Sequence, residues 1–291
     1  MAKKNVSFSQ MSQYNECQYK WYLNYVKGLA SGSTNIHLIF GSSMHTVMQS
    51  YLKCMYEKTV KEADALDLNA MLQSELKKEF TEAKKDMKDI NPASKEELME
   101  FYADGVAILE FFKKHRDEYF SKKGYSLAGI ELPLVIDLQN NIQFKGYIDI
   151  IIKDEIADRI KIIDFKTSTN GWKDYAKKDP NKTAQLVLYK KFFSEAYNIP
   201  IDKIDVEFII LKRKLYENMD FPQKRFQRFS PSSGTPTLNS TTKMLNEFVE
   251  TCFTSDGQHN TNREFPKTDN KKRCEWCDHL GKHCKGSGKK E

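Results

Sequence analysis

The spacing of apolar residues along the chain changes near residue 127. Before this point apolar side chains recur three or four positions apart, which is typical of amphipathic helices. Ser9 can cap the first of these helices, and a Ser/Gly run at 30–34 ends it. The predicted helices cover about 9–26, about 36–57 and about 62–119, the last split at Asn91-Pro92.

After residue 127, β-branched and apolar runs bounded by turn residues predict strands. The predicted elements are strands at about 130–138, 142–152 and 160–167, a helix at about 183–196, a strand at about 205–211 and a helix at about 240–253. Three strands, a helix and a further strand predict an α/β fold with a mixed, α+β-type sheet. We divide the chain into an N-terminal helical region (1–125), a central core (126–214) and a C-terminal region (215–291).

Carboxylates interrupt two of the apolar predicted strands. Asp149 lies within the second strand, and Asp164 lies two residues before Lys166 in the third, so Asp164 and Lys166 share a face. Buried carboxylates are usually paired or bound to a cation, because an unpaired one is costly. Two carboxylates and a lysine form a minimal site for a divalent metal and a polarised water, which phosphodiester hydrolysis requires. A buried salt bridge among the same residues is the alternative interpretation.

Two further side chains are candidates for the same site. His45 lies on the second predicted helix, where a histidine is usually structural and becomes a ligand only beside a metal. Glu131 opens the first predicted strand, either as a third carboxylate of the site or as a solvent-facing residue of an edge strand. Trp172 and Tyr175 in the polar loop after the third strand, and the basic ribbon at 212–228, could bind a nucleic-acid strand by stacking and phosphate contacts. Packing in the core or in a lid is the commoner role of such aromatic residues.

The net charge of +6 is mildly basic, and much of the excess comes late in the chain. One basic group consists of Lys212, Arg213, Lys214, Lys224, Arg225 and Arg228. Such clusters suit a polyanionic partner such as DNA, although solvated lysine-rich faces have the same composition. No apolar run is long enough to cross a bilayer and the first residues lack a secretory apolar segment, so we expect a cytoplasmic protein without a membrane partner.

Three of the six cysteines lie close together near the C-terminus, as Cys274, Cys277 and Cys284. A disulfide framework is not expected in an intracellular chain, whereas three neighbouring thiolates favour a soft metal. One interpretation is a zinc site completed by His279 or His283. The other is an iron-sulfur cluster completed by Cys17, which would join the two ends of the chain. Spacing alone leaves both interpretations open.

Together, these residues resemble the PD-(D/E)xK nuclease superfamily. The motifs that carry the resemblance are Cys17, His45, Asp149, Asp164-Phe-Lys166, Gln185 with Tyr189, and the terminal cysteines. They are most similar to the RecB-like branch with an iron-sulfur cluster, which includes the AddB nuclease domain, the CRISPR adaptation exonuclease and many phage-encoded exonucleases. The resemblance covers nearly the whole chain. It implies a restriction-endonuclease-like αβββαβ core with an N-terminal helical lobe and a C-terminal iron-sulfur segment.

The resemblance also implies a catalytic role for individual residues. Asp149 matches the metal-binding carboxylate of the second strand, and Asp164 the acidic residue of the (D/E)xK triplet, where many members have Glu. Lys166 matches the catalytic lysine, and His45 the upstream metal-binding histidine. With the backbone carbonyl of Phe165 and the additional acidic position at Glu131, these residues are expected to hold Mg²⁺ or Mn²⁺.

Two other groups of residues match motifs of the same branch. Gln185 and Tyr189 match a Q-x3-Y helix motif that orients the site and contacts DNA. Cys17, Cys274, Cys277 and Cys284 match the layout that holds a 4Fe-4S cluster. This match makes the cluster our expectation, with zinc as the alternative.

The function that the resemblance implies is a stand-alone, metal-dependent DNA exonuclease, since the chain has no helicase motif. DNA with free ends would be the partner. Recombination, DNA degradation or CRISPR spacer processing in a prokaryotic cytoplasm would be the setting, including for a phage-encoded enzyme. The alternatives are a DNA-binding or assembly subunit with little cleavage and a structure-specific endonuclease of the same fold.

Overall fold

A sheet of six strands lies between two groups of helices in the computed structural model, which describes residues 3–29 and 34–286. The strands are β1 (Lys4–Val6), β2 (Tyr125–Asp137), β3 (Ile142–Asp154), β4 (Arg159–Ser168), β5 (Ile204–Lys212) and β6 (Phe226–Phe229). The α-helices are α1 (Phe8–Glu16), α2 (Gln18–Trp21), α3 (Ile36–Glu57), α4 (Val60–Asp64), α5 (Leu68–Asp86), α6 (Lys95–His115), α7 (Asp174–Lys177), α8 (Pro180–Tyr197), α9 (Thr235–Cys252) and α10 (Lys271–Glu275).

The sheet is mixed, as the order of predicted elements indicates. The strand order is β1-β3-β4-β5-β6, and β2 pairs with β3 outside this path. The pairs β2–β3, β3–β4 and β5–β6 are antiparallel, whereas β1–β3 and β4–β5 are parallel. The connection between the parallel strands β4 and β5 contains α8. The predicted α/β fold with a mixed sheet is therefore confirmed.

Apolar side chains leave the strands alternately toward two cores. One core joins the sheet to α1, α2, α8 and α9, and includes Trp21, Ile148 and Phe248. The other joins it to α3, α5 and α6, and includes Phe40 and Phe165. Each core draws residues from both sides of the predicted boundary at 125, and the three-region division stays a prediction.

The pairing of β3 leaves an opening inside the sheet. On one edge, β3 pairs with β1 through residues 142–144 and with β4 through residues 150–154. Residues 145–149 have no strand partner on that edge among the described pairings, because β4 pairs with β3 only through residues 159–163. We call this opening, formed by residues 145–149 of β3 and 164–168 of β4, the fork.

The structure corrects several predicted boundaries. The N-cap of α1 is Ser7, whose side chain accepts from the Gln10 N–H, and it takes the place predicted for Ser9. β1 and β6 were not predicted, because three- and four-residue strands are too short to show a period. The predicted run at 30–34 lies mostly outside the described residues. Within the part of the chain that the structure describes, no helix combines the length and apolar character needed to cross a membrane.

Candidate active site

Side chains take the place of strand partners inside the fork. The backbone N–H of Phe165 donates to Asp149 Oδ2 at 2.8 Å, next to the last β3–β4 pair, Ile150 with Ile163. Asp149 is 8% exposed and Asp164 is 1% exposed, so both predicted carboxylates lie inside the protein. The fork therefore brings two buried acidic groups together on neighbouring strands, as the sequence predicts.

Lys166 is the cation that lies closest to these carboxylates in the described contacts. Its Nζ lies 2.8 Å from Asp164 Oδ2 and donates to Gln185 Oε1 at 2.8 Å. Asp164 Oδ2 is buried, and the Lys166 ammonium is its single close partner in the described contacts.

Helix α3 and strand β2 bring two more predicted ligands to the fork. His45 Nδ1 lies 3.3 Å from Asp149 Oδ2, and the imidazole also hydrogen-bonds to the backbone of Phe165. One ligand atom each from His45, Glu131 and Asp149 lie within 4.8 Å of one another. Asp164 lies beside this three-residue group, on the strand that carries Lys166.

Burial controls the protonation of the site. It raises the pKa of the Asp149 carboxyl to about 7, although Lys166 and the Phe165 N–H act in the opposite direction. Burial likewise raises the pKa of Asp164 to about 6, again against the effect of Lys166. The pKa of His45 is lowered, chiefly by burial. These shifts arise chiefly from burial, which disfavours the charged form of each group.

A divalent cation fits this arrangement. Two buried carboxylates share a single ammonium, which is the one close partner of Asp164 Oδ2 in the described contacts. A carboxylate pair with an imidazole is a donor set that Mg²⁺ and Mn²⁺ accept, and such an ion would supply the missing positive charge. His45, Glu131 and Asp149 are the residues that could hold it together, with Asp164 adjacent.

Gln185 and Tyr189 lie one turn apart on α8 and link Lys166 to β3. Gln185 Nε2 donates to Tyr189 Oη at 3.2 Å, and that hydroxyl also accepts from the backbone N–H of Tyr147. Tyr189 is 4% exposed, so it satisfies a backbone group of the fork from within the core. A Cβ added at Gly146 would lie 2.7 Å from the Tyr189 ring, which explains why a residue without a side chain is needed there.

A family model described as the PD-(D/E)XK nuclease superfamily matches residues 5–281 of the chain. The chain belongs to this superfamily. The chain is also similar to a crystal structure from Eubacterium rectale named "Putative exonuclease", with 14% sequence identity and a TM-score of 0.47. That alignment covers 84% of this chain and 77% of the other. No curated protein matches the chain significantly.

Membership in the PD-(D/E)XK superfamily makes the chain a nuclease of a family that uses divalent metal ions. The mixed sheet with helices on both faces is the restriction-endonuclease-like architecture predicted from the sequence. The coarser part of the functional prediction is therefore confirmed. The individual roles of His45, Asp149, Asp164 and Lys166 stay predictions that agree with the geometry of the fork.

The four predicted cluster ligands of this nuclease line a single cavity, which we call the cysteine cavity. Its walls include Cys17 from the break between α1 and α2, together with Cys274, Cys277 and Cys284. All four cysteines are half-buried and form no disulfide. The N–H of Tyr19 donates to the Pro266 carbonyl at 3.1 Å, so backbone contacts also hold the two chain ends together.

The two histidines of the alternative zinc site differ in their surroundings. His283 is exposed, whereas His279 is 2% exposed and lines the cysteine cavity. His279 Nε2 lies 2.6 Å from Asn24 Oδ1, and its buried Nδ1 has no hydrogen-bond partner. If zinc occupies the cavity, His279 is the better placed of the two.

The candidate nucleic-acid contacts also differ in their exposure to solvent. Trp172 is half-buried, and its ring lies 5.0 Å from that of Phe208. The Gln227 side chain hydrogen-bonds to both the N–H and the carbonyl of Trp172. Trp172 therefore packs as part of the core. Tyr175 is 75% exposed. Tyr147, which no sequence motif indicated, is 46% exposed at the fork, with Lys145 Nζ 5.4 Å from its ring.

Proposed function

We propose that this nuclease is a metal-dependent DNA exonuclease whose phosphodiester hydrolysis takes place at the fork. The observation that carries the proposal is the charge deficit around Asp149 and Asp164, where one ammonium serves two buried carboxylates. A superfamily that uses divalent metals and acts on DNA supplies the chemistry that such a site needs.

His45, Glu131, Asp149 and Asp164 would hold Mg²⁺ or Mn²⁺, with the Phe165 carbonyl as a further ligand. When bound, the ion supplies Lewis acidity toward a phosphate oxygen and lowers the pKa of a water molecule. As an ammonium, Lys166 would orient a water molecule by donating to it and would offset the charge of the phosphate. Gln185 holds the Lys166 ammonium in place through its 2.8 Å contact.

We place the DNA strand along the open edge of the fork. A cleft of about 430 Å³ next to it is lined by Lys145, Tyr147, Gln185 and Tyr189, together with residues that precede and begin α1. Lys145 can contact phosphate, and the exposed Tyr147 ring can stack on a base. Gln185 is the residue of the Q-x3-Y pair that can contact DNA directly, whereas the buried Tyr189 acts through Gln185.

We further propose, from the resemblance to the RecB-like branch, that the cysteine cavity holds a 4Fe-4S cluster bound by Cys17, Cys274, Cys277 and Cys284. Their shared cavity supports this assignment. Protein purified without oxygen should be brown, with visible absorbance and iron and sulfide in equal amounts. A colourless preparation with stoichiometric zinc would instead support the zinc site with His279. The biological setting implied by the resemblance is prokaryotic or phage recombination, DNA degradation or CRISPR spacer processing.

The proposed activity is tested by incubating end-labelled linear DNA, single- and double-stranded, with Mg²⁺ or Mn²⁺. The wild type should shorten the DNA from its ends, and Lys166→Ala should lower the rate by at least about 100-fold. Lys161→Ala is the matched control, since Lys161 lies on β4 outside the fork.

Two other results would change the assignment. Cleavage of covalently closed circular DNA would indicate an endonuclease, because an exonuclease requires an end. A wild type loaded with metal that binds DNA without cutting it would indicate a binding or assembly subunit. Wild-type turnover by Lys166→Ala would contradict the assigned role of Lys166.

A further inference from the structure

Gln49 is a buried polar side chain that no motif of the sequence indicated. It lies on α3, four residues after His45, and is therefore on the same face of the helix one turn further on. It is 7% exposed. Its Nε2 donates to Glu131 Oε1 at 2.5 Å and contacts the Asp149 carbonyl oxygen at 3.4 Å. The amide thus connects α3 to β2 and β3, the strands that carry Glu131 and Asp149.

Both partners of this amide are oxygen acceptors, which fixes its orientation. A carboxylate and a carbonyl can accept from the NH₂ group and cannot donate to the amide oxygen. Gln49 therefore acts as a donor toward Glu131. Buried donors of this kind stabilise a charged acceptor more strongly than a neutral one.

The backbone of Glu131 is strained. Glu131 has a φ of 46°, in the left-handed region that non-glycine residues rarely adopt. It lies between the β2–β3 pairs Ile130 with Ile150 and Leu132 with Ile148, directly across from Asp149. Strained residues of this type persist where surrounding contacts hold them, often at functional sites. The exposed Glu131 side chain is held toward the fork by the Gln49 contact.

We propose that Gln49 is a positioning residue that holds the Glu131 carboxylate in the ligand group of the fork. The proposal rests on the proposed function, since it assumes that His45, Glu131 and Asp149 bind a divalent cation. Gln49 itself does not contact the cation or the DNA. Its effect is transmitted through Glu131, in the way that outer contacts of a metal site fix the orientation of a ligand.

The test is calorimetric titration of Mn²⁺ into the full-length protein, alongside cleavage measured over a range of Mn²⁺ concentrations. Gln49→Met keeps the length of the side chain and removes the donor. It should weaken Mn²⁺ binding by about 10- to 100-fold, while cleavage at saturating Mn²⁺ returns close to the wild-type rate. Gln49→Leu is a second variant without the donor, should the first fail to fold.

Two comparisons separate this role from general damage to the fold. Gln143, which is half-buried on β3 outside the fork, also donates to a carboxylate, from its Nε2 to Asp137 Oδ1 at 2.8 Å. Gln143→Met should leave Mn²⁺ binding unchanged. Because Gln49 acts through Glu131, adding Gln49→Met to Glu131→Ala should have no further effect on binding.

The outcomes distinguish this inference from the proposed function. If the wild type binds Mn²⁺ and Gln49→Met binds it equally well, the role of Gln49 is overturned while the metal site stands. Independent, multiplicative effects of Gln49→Met and Glu131→Ala would overturn it as well. A wild type that neither binds Mn²⁺ nor cleaves DNA would overturn both proposals.

Discussion

The fork and the cysteine cavity are both candidate metal centres, but the fold holds their ligands in different ways. The acidic groups of the fork project from strands whose neighbouring residues, such as Ile148, Ile150 and Phe165, are fully buried in the two cores. Three of the four cysteines lie in residues 271–286, which contain one helix of five residues. Among the described residues 266–286, no hydrophobic side chain is buried.

The two sites should therefore depend on metal in different ways. The sheet forms the fork before any ion binds, so burial of the carboxylates lowers the stability of the metal-free fold. The C-terminal segment has no core of its own, so the cluster proposed for the cysteine cavity should itself hold the segment in place. Loss of metal from the fork should therefore abolish cleavage. Loss of metal from the cysteine cavity should free the C-terminal segment from the rest of the protein.

The largest effect expected at the fork is on catalysis alone. Asp164→Asn keeps the shape of the side chain and removes a charge next to the ligand group. Cleavage should fall by about 100- to 1,000-fold while circular dichroism and DNA affinity stay unchanged. Asp137→Asn, at an exposed carboxylate of β2, is the control and should cleave normally. If the Asp164→Asn protein did not fold, the fork would depend on the Asp164 carboxylate and would not be formed by the sheet alone.

At the cysteine cavity the expected effect is on structure. Cys277→Ser should lose the bound metal and make the segment 271–286 at least about 10-fold more sensitive to protease. Mn²⁺ binding at the fork should stay the same. Cys54→Ser is the control, because Cys54 lies outside the cavity. Equal protease resistance of the metal-free Cys277→Ser protein would show that the segment is held by other contacts.

A smaller effect is expected on stability as the pH changes. The pKa of Asp149 is about 7 in the folded chain against an ordinary 3.8, so between these values the folded state binds a proton that the unfolded state releases. The free energy of unfolding without metal should therefore fall as the pH rises from about 4 to about 7, by about 2 to 4 kcal/mol. The lowered pKa of His45 opposes part of this change.

Asp149→Asn isolates the contribution of that carboxyl. The variant should show a shallower fall in the free energy of unfolding over the same pH range, measured by urea denaturation in the presence of a chelator. Saturating Mn²⁺ should restore stability to the wild type at neutral pH and should not restore it to the variant. An identical pH dependence in both proteins would contradict the cost assigned to the buried Asp149.

The smallest effect is expected at the edge of the fork. Tyr147→Ala should weaken binding of single-stranded DNA by about 5- to 10-fold through the loss of base stacking. Fluorescence anisotropy in a Lys166→Ala background measures binding without cleavage. Tyr125→Ala, at an exposed tyrosine of β2 outside the fork, should bind as the parent does. Unchanged affinity in Tyr147→Ala would place the DNA strand elsewhere.

The parts of the site that could be predicted from the sequence depend on local patterns. Asp149 and Asp164 interrupt apolar strands, and Gln185 with Tyr189 shows a one-turn helical spacing, so each leaves a signal within a few residues. The helix at 36–57 was predicted with the bounds that the structure shows. The pattern could not reveal that Tyr189 is buried and acts through its neighbours, because that depends on how α8 packs against β3.

Long-range contacts account for what the sequence could not show. Gln49 is separated from Glu131 by 82 residues and from Asp149 by 100 residues, so no spacing relates them. The opening of the fork depends on β1, a three-residue strand that pairs with the start of β3 from the far end of the chain. Such features arise from tertiary packing and leave no periodic signal.

The most direct test of the account is anomalous diffraction from a crystal grown anaerobically with Mn²⁺. Data collected at the manganese and iron edges should show manganese in contact with His45, Glu131 and Asp149, and iron in the cysteine cavity beside Cys17 and Cys277. An empty fork in a crystal of protein that cleaves DNA with Mn²⁺ would contradict the account, since the chemistry would then take place at another site.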